Sequence, residues 1–364
     1  MPAASTYRLL GLMSGTSLDG LDIACVEFQL NKRWSFRVID AATVSYPEKW
    51  ERRLSTAHTL SGESLLALHG AYGRFLGEQC MAFMQRRKLR KIDAIASHGH
   101  TIFHQPDKQF TFQLGDGAAI HAMTGLPVIA DFRSLDVQLG GEGAPLVPMG
   151  DRVLFASADI CLNLGGIANL SMETKGKRKA FDLCFCNMAL NHLSREVGMS
   201  FDGNGNLASK GNVVPKLLGQ LSTAYELVRR KRRSLGREFF ERAIQPLLDN
   251  PKLLLNDRLR TVCESVAEEI DEAISDKAMN LQMLTTGGGA RNRFLIEVLR
   301  QRLSGKASVV LPSREIIDFK EAIIFAFLGL LRLRNEINVL SSVTRATQDS
   351  CSGAVYGSWR RDPQ

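Results

Sequence analysis

The chain lacks most of the features that would place it in a specialised class. No apolar run is long enough to cross a bilayer: the longest, Ala322 to Leu331, has ten residues, against the ~20 a spanning helix needs. Its first residues, Met1-Pro-Ala-Ala-Ser-Thr-Tyr7, contain no basic stretch followed by an apolar core, so no secretory signal is expected. The seven cysteines are an odd number and none sits in C-x-x-C spacing. That argues against a zinc site or a disulfide framework and for a reducing cytoplasm. Aromatic residues make up only 7%. No nucleic-acid-binding fingerprint accompanies the two basic runs, Arg86-Arg87-Lys88 with Arg90 and Lys91, and Arg229 to Arg233. Both read as solvated helix ends or loops, with neither nucleic acid nor membrane as partner.

What remains is ordinary globular composition, 45% hydrophobic and 23% charged. A length of 364 residues suits two domains, and the net charge of +8 favours anionic ligands.

The richest segment is Gly11-Leu-Met-Ser-Gly-Thr-Ser-Leu-Asp-Gly-Leu-Asp22. It lies between two alternating apolar runs, 7–12 and 21–28, and reads as a hairpin turn. Gly15, Thr16, Ser17, Leu18, Gly20 and Leu21 supply backbone N–H groups and hydroxyls that can converge on one anion. Asp19 and Asp22 would repel phosphate unless a cation such as magnesium sits between. No Gly-Lys-Ser/Thr follows, so this is not a P-loop. A turn with no ligand is the alternative.

The architecture is written in an internal echo. Strand 7–12, a glycine-rich turn, strand 21–28 and strand 34–45 are matched by strand 158–164, the turn Gly165-Gly166-Ile167-Ala168-Asn169, a strand to Met172 and strand 179–185. Amphipathic helical stretches follow each copy, 64–88 and 187–197. Duplicated α/β domains facing each other across a cleft are expected. Further along, Ile92 to Ser97 reads as a buried strand whose polar end, His98 to Thr101, reaches the sheet edge where ligands bind. Val128 to Ala130 reads as a short strand, Gly140 to Pro145 as a flexible connector, and 257–277 and 321–334 as helices.

Individual residues carry two readings each. Asp182, near the end of an apolar strand, is a candidate to orient or deprotonate a nucleophile, or else a helix N-cap. Arg133 can grip a carboxylate, or form a surface ion pair. His98 and His100 are two apart but lack a clear third metal ligand, so one is expected on substrate or backbone and the other packed. Glu321 reads as a first-turn helix charge.

Taken in order, these segments resemble the bacterial anhydro-N-acetylmuramic acid kinases from end to end. The resemblance rests on Gly11 to Gly20, Ser97-His-Gly-His-Thr101, Gln113-Leu-Gly-Asp116, Ala130-Asp-Phe-Arg133, Gly143-Ala-Pro-Leu-Val-Pro148, Asn163 to Asn169, Gly236-Arg-Glu238, Gly287 to Asn292 and Lys320 to Ala326. It implies the α/β fold of the sugar kinase, Hsp70 and actin superfamily: two ribonuclease-H-like domains flanking an ATP and sugar cleft. The expected division is 1–135 plus about 345–364 against 136–344. The implied reaction takes ATP, 1,6-anhydro-N-acetylmuramic acid and water to ADP and N-acetylmuramic acid 6-phosphate, in a cytoplasmic homodimer. By the same carry-over Asp182 is the base. Gly15 to Asp22, with Gly165, Gly166 and Asn169, hold ATP and magnesium. Gly287, Gly288, Gly289 and Asn292 line the nucleotide. His98 meets the sugar, Arg133 and Glu321 the sugar or the metal-bound phosphates, and Asp19 and Glu321 the metal. The chain departs from the family at Asp182-Leu-Cys-Phe-Cys-Asn187, usually Asp-Thr-Gly-Pro-Gly-Asn, at His100, usually Gln, and at Arg345, usually Gly. These departures keep two alternatives open: a kinase for another 1,6-anhydro sugar such as levoglucosan, and a catalytically silent ATP-binding regulator.

Overall fold

A computed structural model of the chain describes residues 5–15, 18, 20–231, 235–275 and 279–359. The polypeptide divides into two compact units, one of Met1–Leu154 with Phe319–Gln364, the other of Phe155–Asp318. Residues 136–154 and 319–344, grouped by the sequence with the second half, pack in the first unit.

The first unit opens with three antiparallel strands, β1 (Ser5–Ser14), β2 (Leu21–Leu30) and β3 (Trp34–Val44). Helices α1 (Glu48–Ser55) and α2 (Gly62–Arg86) follow. Next come β4 (Ala94–Gln105), its hairpin partner β5 (Phe110–Leu114), α3 (Gly117–Thr124), β6 (Val128–Ala130), α4 (Ser134–Gln138) and α5 (Val147–Leu154). The strand order is β12-β6-β4-β1-β2-β3, where β12 (Ala354–Tyr356) comes from the far end of the chain. β1, β4 and β6 run parallel.

The second unit repeats the pattern. β7 (Ile160–Leu164), β8 (Ile167–Thr174) and β9 (Lys177–Phe185) are antiparallel neighbours. Helices α6 (Asn187–Ser194), α7 (Pro215–Lys231), α8 (Arg237–Phe239), α9 (Gln245–Leu248) and α10 (Leu255–Ala273) lead to β10 (Leu281–Thr286), α11 (Arg293–Arg302) and β11 (Ala307–Val310). The order β11-β10-β7-β8-β9, with β7, β10 and β11 parallel, reproduces the first sheet minus its extra strands. Two α/β units of the same topology are therefore present, as the internal echo implies, and it is the ribonuclease-H-like arrangement that the resemblance implies.

Helix α12 (Arg314–Leu333) and the short α13 (Ser341–Thr344) complete the helices. The apolar run Ala322 to Leu331 is fully buried in α12. This helix lies so close to the first sheet that a Cβ on Gly11 would stand 1.9 Å from the Ala322 carbonyl oxygen. Small residues at that crossing, Gly11 and Ala96 on the strands and Ala322, Ala326 and Gly329 on the helix, set the spacing. Among the described residues no helix is long and apolar enough to cross a membrane.

Three local expectations need correction. His98 to Thr101 do not end β4; the strand continues to Gln105 because β5 folds back to pair with it. Glu321 is not a first-turn charge, since α12 starts at Arg314, two turns earlier. Gly140 to Pro145 is a tethered loop: the Gly143 N–H donates to fully buried Asp136 at 2.8 Å, and Asp136 also accepts from the Thr344 hydroxyl at 2.7 Å.

Candidate active site

In the first unit β1 delivers the β1–β2 turn. Of its residues Thr16, Ser17 and Asp19 lie outside the described residues. Leu18 has a positive φ of 62°, and its N–H bonds the Gly15 carbonyl at 3.3 Å. Gly20 has φ 152°, and a Cβ there would come within 2.7 Å of the Val44 carbonyl. Leu21 is buried, and half-buried Asp22 accepts a 2.5 Å bond from Thr43 across the sheet.

Immediately before the turn, Ser14 is buried in a chain of side-chain hydrogen bonds. The Tyr46 hydroxyl donates to Ser14 Oγ at 2.7 Å, Tyr46 and Tyr72 hydroxyls are 2.6 Å apart, and Ser14 Oγ is 2.9 Å from His100 Nδ1. His100 gets there through a β-bulge. Leu12 pairs with Ser97 but Ser14 with His100, so β4 holds one extra residue, and Gly99 turns the chain with φ 74°. The bulge separates the two histidines. His100 faces Tyr72 of α2, whereas the His98 ring lies 4.6 Å from that of Phe325 on α12.

His98 is 5% exposed, and both its ring nitrogens are committed. Nδ1 donates to the Gly99 carbonyl at 2.8 Å, leaving Nε2 as the acceptor for Arg133 Nε at 3.1 Å and Nη2 at 2.8 Å. Burial, and then the Arg133 charge, hold its pKa well below the usual histidine value, so the ring is neutral. Arg133 Nη1 donates to the Gly143 carbonyl at 2.7 Å. Desolvation brings the guanidinium pKa to about 10, opposed by Glu321 and Asp136, so it stays cationic at neutral pH. Its side edge is spent on His98. One N–H on each terminal nitrogen remains to donate to oxygens of a carboxylate or phosphate.

Glu321 is solvent-accessible yet set among enough protein for desolvation to raise its carboxyl pKa, against the pull of Arg133 and Lys320. Asp22 and Asp151 push the same way as desolvation. Lys320, next to it, forms a buried ion pair with Asp151 at 2.7 Å. Asp136, Asp151, Tyr46 and Tyr72 escaped the sequence reading, because nothing local distinguishes them from ordinary surface or core residues. Among the described residues no group of three or more His, Cys, Asp or Glu is arranged to hold an ion. Asp22 and Glu321 do lie within electrostatic reach of each other. That donor set fits magnesium, which takes one or two carboxylates and completes its shell with water and phosphate oxygens.

In the second unit Asp182 lies within β9 opposite Asn169 of β8, beside a bulge. It is not a helix cap: Cys186 holds the N-cap position of α6. Asp182 Oδ2 accepts the Leu235 N–H at 2.9 Å. Burial raises its carboxyl pKa, and the Leu235 bond moderates the rise. A half-buried carboxylate of raised basicity, with one oxygen fixed by backbone, is suited to accept a proton.

The β7–β8 turn is fastened by backbone. The N–H groups of Cys186 and Met188 bond the Gly166 carbonyl at 2.9 and 3.1 Å, and that of Asn187 bonds Gly165 at 3.0 Å. Gly287 has φ 83°, and its Cβ would stand 2.5 Å from Asn163 Oδ1. Gly289 abuts the Leu164 side chain, and a Cβ on Gly288 would approach Asn187 at 3.2 Å. Asn292 caps α11 by accepting the Leu295 N–H at 3.1 Å. These glycines thus have a packing reason to be there: they seat β10 against the end of β7.

A sequence model for anhydro-N-acetylmuramic acid kinase matches residues 7–358. The chain belongs to this family. Proteins named anhydro-N-acetylmuramic acid kinase from Vibrio parahaemolyticus and Vibrio cholerae are each 33% identical to it, over 95% of this chain and 97% of theirs. The one from Sulfurovum sp. is 33% identical over 96% of this chain and 99% of its own. Family membership makes the departures after Asp182 worth locating. Leu183, Cys184, Phe185 and Cys186 are at most 5% exposed. The Phe185 ring packs 5.2 Å from Phe240 and 6.1 Å from Phe239, and the Phe185 N–H donates to the Tyr225 hydroxyl at 3.2 Å. The unusual segment is absorbed by the core of the second unit.

The basic run is not uniformly solvated. Arg229 pairs with buried Glu269 and donates to the Ser222 carbonyl at 3.0 Å, whereas Arg230 is exposed and pairs one turn back with Glu226. Arg232 and Arg233 lie outside the described residues.

Proposed function

We propose that the chain is an ATP-dependent kinase that hydrolytically opens 1,6-anhydro-N-acetylmuramic acid and phosphorylates O6, giving N-acetylmuramic acid 6-phosphate and ADP. The observation that carries the reading is Asp182, a carboxylate of raised basicity fixed by the Leu235 N–H, in a chain of this kinase family. Asp182 takes a proton from water as its oxygen bonds to C1. The C1–O6 bond breaks, and O6 accepts the γ-phosphoryl group as ADP leaves. General-base catalysis of this kind contributes roughly 10²- to 10⁴-fold.

Arg133, held side-on by His98, presents its remaining N–H groups to the lactyl carboxylate of the sugar, a group levoglucosan lacks. Glu321 lies within electrostatic reach of that guanidinium and positions the sugar. The turn Gly15 to Asp22 and the turn at Gly165 and Gly166, with Asn169, hold the ATP phosphates, and Gly287 to Asn292 border the nucleotide. Asp19, Asp22 and Glu321 would hold magnesium, which when bound neutralises phosphate charge. Burial of Leu183 to Cys186 in the core supports the muramic acid over a different anhydro sugar, because those side chains reshape packing. Seven cysteines, none in C-x-x-C spacing and six of them buried, support a cytoplasmic enzyme, and the family resemblance a homodimer without membrane or nucleic-acid partners.

The test is ADP release with each sugar, run in heavy-oxygen water. The reading expects strong preference for the acid, label at the C1 hydroxyl, none in the phosphate, and loss of turnover on chelation. Preference for levoglucosan, or no sugar-dependent ADP release, would overturn it.

A further inference from the structure

Three of the four side chains in the buried polar chain beneath the β1–β2 turn can be assigned a direction. Tyr46 spends its single proton on Ser14 Oγ, so Tyr72 is the donor to Tyr46. Ser14, already an acceptor from Tyr46, can give its own proton to His100 Nδ1 at 2.9 Å, with the Tyr72 hydroxyl also within its reach. A proton on Nδ1 instead would leave the Ser14 hydroxyl hydrogen without that acceptor in a site only 2% exposed. Burial drives the His100 pKa to about 4, so the ring is neutral and can accept. These bonds thus run in the order Tyr72, Tyr46, Ser14, His100, with a neutral ring able to accept at the end.

Its placement is as specific as its direction. In a regular strand His98 and His100 would share one face. The Gly99 bulge re-aims His100 to the face of Tyr72 and brings it level with Ser14, the last residue of β1. A Cβ at Gly99 would stand 2.5 Å from the Leu114 carbonyl, so the bulge depends on glycine. We propose that His100 is a positioning residue for the β1–β2 turn: by accepting the Ser14 proton it fixes the end of β1 from which the turn departs. It touches no substrate. The proposal rests on the reading that this turn holds ATP phosphates.

The experiment measures ADP binding by calorimetry, and kcat with separate KM values for ATP and sugar. The variants are His100→Ala, His100→Gln and Tyr46→Phe, with Ser17→Ala and Asp19→Ala in the turn itself. His100→Ala should weaken ADP binding and raise KM for ATP about tenfold, leaving KM for sugar within twofold. His100→Gln, whose amide oxygen can accept the same proton, should recover most of the loss. Tyr46→Phe, which removes the relay's donor to Ser14, should raise KM for ATP in the same selective way, and it serves as the test if His100→Ala does not fold. If the turn variants weaken ADP binding while His100→Ala and Tyr46→Phe do not, the proposal fails and the phosphate reading stands. If turn and relay variants all leave ADP binding unchanged, the turn is not the phosphate site and both fail. Equal losses for ATP and sugar, without rescue by glutamine, would reduce His100 to a packing residue and overturn the proposal.

Discussion

In the first unit the strand leading into the glycine-rich turn ends on Ser14, whose hydroxyl is gripped by Tyr46 and His100. In the second the equivalent strand ends on Leu164, whose carbonyl accepts from Asn187 Nδ2 at 3.0 Å while backbone N–H groups of 186–188 fasten the turn itself. The same topology therefore supports two kinds of anchoring. A side-chain relay can be retuned by one substitution. A backbone clamp admits little change beyond keeping its glycines.

The largest test of this contrast is Asp182, the one catalytic candidate on the clamped unit. Asp182→Asn should lower kcat by roughly 10²- to 10⁴-fold with ATP and sugar binding kept. The acid limb of kcat/KM in the wild type should lie above the ordinary Asp value of 3.8, because burial raises this carboxyl and the base must be ionised to work. Near-normal turnover in the variant would remove Asp182 from the chemistry.

Next comes Arg133 on the unit of side-chain networks. A charge-assisted hydrogen bond is worth about 1.5–3 kcal/mol, so Arg133→Ala should cost roughly 10- to 150-fold in kcat/KM for the acid and much less for levoglucosan. Equal losses on both sugars would assign the arginine to phosphate or ring.

Stability should separate the units more directly. Gly287→Ala forces a Cβ to within 2.5 Å of Asn163 Oδ1 at a positive φ, and overpacking of this kind costs about 1–3 kcal/mol in thermal or denaturant unfolding. Ser14→Ala removes a buried hydroxyl and leaves the Tyr46 proton without its acceptor; it should show in ATP KM as much as in unfolding. A silent Gly287→Ala would mean the clamp has slack.

Smaller again is the effect of Arg229→Ala, which strips the partner from buried Glu269, against Arg230→Ala, whose exposed pair is worth about 0.3–0.5 kcal/mol. Burial raises the Glu269 carboxyl to about 7 from an ordinary 4.5. The folded state thus holds that proton more tightly than the unfolded chain. Its contribution is fully present below about 4.5 and is lost as pH rises through about 7. Glu269→Gln should flatten stability across that window, and an unchanged slope would remove Glu269 as its source.

Much of the fold could be read from residues alone, because the β1–β2–β3 and β7–β8–β9 triplets are local: alternation names the strands and glycines name the turns. What could not be read is long-range. β12 joins the first sheet from residue 354, and Thr344 reaches Asp136 from 208 positions away, so no window of sequence shows that 136–154 and 319–344 pack with the N-terminal half. The Gly99 bulge was hidden for a different reason. A glycine between two histidines announces freedom, and only pairing with β1 decides that the freedom becomes an extra residue. At the site, Asp182 and Arg133 stood out because they follow apolar strands. What holds them did not: Leu235 acts through its backbone N–H, and the bond from Arg133 to His98 joins residues 35 positions apart.

The discontinuity of the first unit has a consequence in time. A ribosome releases the second unit, Phe155–Asp318, as one uninterrupted stretch. The first unit, although translated earlier, must wait for α12 to cover the face of its sheet at Gly11 and Ala96, and for β12 to close its edge. The usual vectorial order, N-terminal domain first, is therefore inverted. The nascent chain carries a half-built sheet through the synthesis of some 160 residues, and a segment made after them completes the sheet that was begun before them.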